Sequence, residues 1–75
     1  MNASTREKIL ARLGELSRVC PEMRLGQLIA NLAVVGRGIE PGAIWEIEDE
    51  ELLAAANWHL AESLARRDDE ATQER

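Results

Sequence analysis

Apolar residues recur at helical intervals in three separate stretches of the chain. Ile9, Leu10, Leu13, Leu16 and Cys20 fall within one arc of a 3.6-residue period, while Lys8, Glu15 and Arg18 lie outside it. Ser4 followed three residues later by Glu7 forms a capping box just before that pattern, so a first helix starts there. Gly14 weakens this helix by about 1 kcal/mol relative to Ala, which predicts a neighbour packed close to its backbone. Pro21 either ends the pattern by biasing Cys20 away from helical angles or sits in the first turn of the next helix.

A second helix is predicted over 22–35. Leu25, Leu28, Ile29, Leu32 and Val35 form its apolar arc, and the small residues Gly26, Ala30 and Ala33 beside them permit close approach of a neighbour. The stretch 36–42 holds three glycines and a proline and reads as a connector. Ile39, Ile44, Trp45 and Ile47 are too apolar for a merely solvated loop, so this segment is expected to plug the open end of the core. A short strand over 43–47 is the alternative, and it would need a partner strand. The third helix begins at 48 or 49 and reaches 67. Ile47 staples against Leu52 or Leu53, Asp49, Glu50 and Glu51 face the unpaired amides of the first turn, and Arg66 and Arg67 stand at the opposite end. The expectation is an all-α fold: one domain over 1–75 with three helices, a Gly/Pro-containing connector between the second and third, and frayed ends at 1–3 and 68–75.

The third helix carries more apolar surface than one core needs. Leu53, Leu60 and Leu64 make one stripe, and Ala54, Trp58, Ala61 and Ala65 make a second beside it. The first belongs to the core. The second is either covered by the connector with Trp45 or is an interface anchored on Trp58. Asn57 lies between the stripes, where an unsatisfied amide costs about 1–3 kcal/mol, so it needs a partner in the connector or at a dimer seam. Arg24, Gln27 and Asn31 share one edge of the second helix. They form a recognition face, or a structural set in which Arg24 pairs with the acidic turn and the two amides bond the connector backbone.

Size and charge narrow the functions. At 75 residues the chain has room for one core. A folded monomer of 8.4 kDa should expose about 4,600 Å², and at this length burial and ordering nearly cancel, so a marginal monomer and a stabilising homo-oligomer both remain open. With two Trp and no Tyr or Phe, the core is aliphatic. The net charge is −5, and 40–51 carries six carboxylates without a Lys or Arg. Nucleic acid is therefore a poor partner, because phosphate binding is supplied by basic side chains; a basic protein or basic segment is a better one. The opposing reading uses Arg6, Lys8, Arg12 and Arg18 with Arg24, and takes the Pro21 break as a helix-turn-helix connection.

Catalytic and metal chemistry find little here. The lone Cys20 forms no internal bridge and suits a reducing compartment, and with neither a secretory signal nor a spanning apolar run the cytoplasm is the expected location. His59, with Glu62 and Ser63 nearby, is read as a surface histidine, since a zinc site needs ligands that one His and one Cys do not supply. The acidic run 48–51 lacks the alternating ligands and turn glycine of a calcium loop. A Cys20–His59 nucleophile and base would want an orienting group and an oxyanion site, and neither is assignable. No enzyme activity, cofactor or metal is expected.

The stretches 21–31, PEMRLGQLIAN, and 47–52, IEDEEL, together resemble a group of short bacterial proteins with no established activity. Those carry a Pro-acidic-Leu-Arg-Leu/Phe-Gly-Gln-Leu stretch followed one loop later by Ile-Glu-Asp-Glu-Glu-Leu. This chain departs from them in its longer, glycine-rich connector and in Trp45 where they tend to have Tyr. The resemblance implies no ligand. What the residues imply is a non-enzymatic protein-binding or self-associating module, an accessory or regulatory partner, with Trp58, Asn57, Ala54, Ala61, Ala65, Arg24, Gln27 and Asn31 as its candidate contact residues.

Overall fold

The computed structural model describes the backbone of residues 4–73 and the side chains of residues 4–67. The first helix, α1, spans Thr5–Val19. Its start is fixed reciprocally, Ser4 Oγ accepting from the Glu7 amide at 3.1 Å and Glu7 Oε1 accepting from the Ser4 amide at 2.8 Å. Pro21 lies in the turn that follows, closed by the Met23 amide donating to the Cys20 carbonyl at 3.1 Å. That turn delays α2, which spans Leu25–Arg37 rather than starting at 22, with Arg24 extended at its N-cap.

The described residues form four helices where the pattern predicts three. The additional one, α3, is a single turn over Ala43–Glu46 inside the expected connector, and it replaces the alternative of a strand. Gly42 opens it, accepting from the amides of Trp45 and Glu46 at 3.0 Å each, and Ile47 closes it with an extended backbone. Four residues are too few for periodicity to reveal, so their apolar character read as a plug. The last helix, α4, spans Asp49–Gln73 and continues past 67. Of the ends expected to fray, 1–3 and 68–75, residues 68–73 carry helical backbone, and 1–3 and 74–75 lie outside the described residues.

Helix α4 is the spine, with α1 and α2 packed on it far more than on each other, and α3 packed on α2. Leu16, Leu28, Leu32, Ala55 and Ala56 form the buried cluster, with Leu13, Met23, Leu52 and Leu60 against it. The face that α4 turns inward is therefore Leu52, Ala55, Ala56 and Leu60, not the expected stripe of Leu53, Leu60 and Leu64; Leu64 is exposed and Leu53 half-buried. Alanine at two central positions allows both flanking helices to approach the spine, where leucine would hold them apart. Leu10 and Leu25, expected in the core, are exposed as well.

Two further expectations fail for stated reasons. Ile39 and Trp45 are 93% and 89% exposed, so the connector does not plug the core; only Ala43 is buried there, because α3 turns its small residue inward. Gly14 has no close neighbour, only Arg18 Nη1 at 4.0 Å from where a Cβ would stand. The tight glycine is Gly36, whose Cβ would lie 2.5 Å from Ile47 Cδ1 and 3.4 Å from the Glu51 carbonyl oxygen. It lets the elbow between α3 and α4 sit directly on α2.

The result is flat. Its principal extents are 44 × 36 × 17 Å and its radius of gyration is 13.4 Å, against about 11 Å for a typical domain of this length.

Candidate functional interface

Between α2 and α4 runs an open groove of about 330 Å³. From α2 it is lined by Asn31, Val34 and Val35, and Met23 enters from the preceding turn. Helix α4 contributes Trp58 and His59, with Glu62 and Arg66 along the rim. Val34 and Val35 are 41% and 43% exposed, and Trp58 is 55% exposed, so the lining presents apolar surface to solvent. Aromatic and aliphatic lining with a few polar groups is what binding concavities share, though this volume is near their lower limit of about 300 Å³.

The exposure of the candidate contact residues differs along this face. Trp58 is uncovered by the connector, and Ala54, Ala61 and Ala65 are exposed on the same helix. The edge of α2 is divided: Asn31 lines the groove, while Arg24 and Gln27 are exposed and take no part in the lining. The carboxylate pairing assigned to Arg24 belongs to Arg37, whose guanidinium lies 3.3 Å from Glu51 Oε1 and 3.6 Å from Glu46 Oε1. One helix end explains the exchange, since Arg37 stands in the last turn of α2 beside the α3–α4 elbow. Asn57 does have a partner: Arg12 Nε donates to its Oδ1 at 2.8 Å, tying α1 to α4, while the same Arg12 pairs with Glu15 at 2.7 Å. Arg12 is thereby engaged within the fold rather than held ready for a phosphate.

His59 departs from the expected surface position. It is half-buried, with Nδ1 3.1 Å from Ser63 Oγ, and the Cys20 thiol donates to the same hydroxyl at 3.5 Å. Ser63 thus bridges Cys20, at the end of α1, to His59 at the groove. A chain of thiol, hydroxyl and imidazole invites comparison with nucleophile and base pairs, but Cys20 is 7% and Ser63 6% exposed, and a reacting carbonyl has no approach to either. Its effect is to satisfy polar atoms inside the core: among the described residues no buried side-chain nitrogen or oxygen lacks a partner. Also among the described residues, no group of three or more His, Cys, Asp and Glu is placed to hold a metal ion, and no helix is long and apolar enough to cross a membrane.

The groove residues that the sequence pattern missed are Met23, Val34, Val35, His59, Glu62 and Arg66. Three successive apolar residues, Ala33, Val34 and Val35, were the available signal, because such a run is wider than one buried arc of a helix.

The fold and its groove define a small all-helical domain without catalytic or metal-binding constellations among its described residues. No protein-family model, curated protein or solved structure matches the chain.

Proposed function

We propose that the protein is a non-enzymatic helical module that self-associates through its α2–α4 face, with Trp58 as the anchor, and acts in a reducing, cytoplasmic setting as an accessory or regulatory partner. The observation that carries this reading is a tryptophan left 55% exposed over a groove in a chain that has only one other aromatic residue. Aromatic anchors at the centre of an apolar patch dominate association energies, whereas singly scattered exposed leucines do not.

Surface area points the same way. The chain exposes 5,688 Å², roughly 1,000 Å² above the expectation for a folded monomer of its mass. A slab only 17 Å deep has little interior, and covering one side of it adds the burial that its own core lacks. The buried, hydrogen-bonded Cys20 suits a reducing environment.

Sedimentation velocity of the full chain tests the reading. At about 100 µM, within the range of affinities that modest interfaces reach, the protein should sediment as a dimer or larger species. Trp58→Ala should sediment as a monomer with an unchanged helical circular-dichroism spectrum. A wild-type chain that stays monomeric throughout, or a Trp58→Ala variant that associates as before, would refute it.

A further inference from the structure

Among the described residues, the second tryptophan is the most exposed aromatic side chain. Trp45 is 89% exposed on α3, beside Ile44 at 49% and near Ile39 at 93%. An unstructured loop would let such residues fold back, but α3 is closed by its own hydrogen bonds and held on α2 by Gly36 and by Arg37 with Glu46 and Glu51. The indole thus projects from a backbone turn that is hydrogen-bonded and packed on α2. Close by, the C-terminal half of α2 also supplies Val34 and Val35 to the groove.

We propose, resting on the self-association reading above, that the occupant of the groove is the Trp45-bearing turn of a second copy of this chain, inserted reciprocally about a two-fold axis. An isologous dimer requires the projecting and receiving surfaces to meet across one interface, and both are attached to α2 here, with α3 packed on it and the groove running along it. The volume of about 330 Å³ admits one large side chain and little more, at the bottom of the range of about 300–1,000 Å³ used for small-molecule sites.

The area is sufficient. Given their exposure, Trp45 and Trp58 offer about 400–700 Å² across the two copies. Ile39, Ile44, Val34 and Val35, all exposed, bring the interface toward the ~1,200 Å² at which specific association becomes stable. Charge favours the same pairing. Trp45 is carried by the segment 40–51, with six carboxylates and no cation, and the groove rim ends in Arg66, followed by Arg67. Glu62 on that rim opposes the acidic turn and sets the register, since the turn sits better toward the Arg66 end.

The experiment separates this arrangement from a groove-to-groove dimer. Trp45→Ala removes the projection and leaves the groove; Val35→Glu spoils the groove, at an exposed position, and leaves the projection. Each variant alone should raise the dimer dissociation constant about 1,000-fold, because the symmetry deletes two anchors at once. Mixed in equal amounts, they should form a heterodimer with one intact insertion, about 30-fold weaker than the wild type. If Trp45→Ala dimerises as the wild type does while Val35→Glu does not, the reciprocal insertion is wrong and the α2–α4 interface stands. If the mixture associates no better than either variant alone, the insertion is again wrong. A wild-type chain that never dimerises removes both.

Discussion

Close packing in this molecule is concentrated at a few side chains, and substitutions there should have unequal effects. Leu16 and Leu32 are fully buried at the meeting of α1, α2 and α4. Leu32→Ala should cost about 2–5 kcal/mol, enough in a domain of this size to abolish the cooperative urea transition. The glycines divide the other way. Gly14 is inside a helix with open space where its Cβ would be, so Gly14→Ala should raise stability by about 0.5–1 kcal/mol, seen as a higher urea midpoint at constant slope. Gly36→Ala must displace Ile47 and should fall at least ~1 kcal/mol below Gly14→Ala. Which glycine was tight was not legible in the sequence. Both interrupt a helix, and only the path of the distant elbow decides which one is touched.

Helix starts are governed by local chemistry, and the first of them was readable for that reason. Ser4 and Glu7 satisfy amides within one turn of themselves, so no tertiary knowledge is needed. Ser4→Ala should cost about 1 kcal/mol by denaturation, since it frees the Glu7 amide. The start of α4 uses Glu51 twice: its Oε1 accepts from the Glu48 amide at 2.8 Å and lies 3.3 Å from Arg37. Glu46, with a side chain 61% exposed, serves only the longer ion pair. Glu51→Ala is therefore expected to lower stability by about 1–2 kcal/mol and Glu46→Ala by less than ~0.5 kcal/mol. Equal losses would mean that the elbow is held by charge alone. The turn α3 was not readable, because its closure depends on Gly42 and on α2 beneath Ala43, and a four-residue apolar stretch carries no period. Likewise the helical pattern points to leucines as the inward face of α4, although the helix buries Ala55 and Ala56 where two neighbours converge on it.

At the scale of the whole molecule, α1 and α2 packed on a shared spine, with α3 on α2, make a body only 17 Å deep and leave the α2–α4 groove open to solvent. The sequence carried the surplus of apolar positions on α4 and the exposed anchor at Trp58, because a helix wheel counts stripes. It did not carry the groove, which needs Met23, Val34 and Val35 from a second element, nor the exposure of Trp45. Pairing two such bodies through the α2–α4 face would add the depth that a single copy lacks and would shield both tryptophans together. The most direct measurement is fluorine NMR of the intact chain labelled with 5-fluorotryptophan, comparing the shifts in H2O and D2O across a dilution series. Both resonances should be solvent-sensitive when dilute and both should lose that sensitivity as the protein is concentrated. A Trp58 signal already shielded at the lowest concentration, or two signals that stay solvent-sensitive at the highest, would contradict the account.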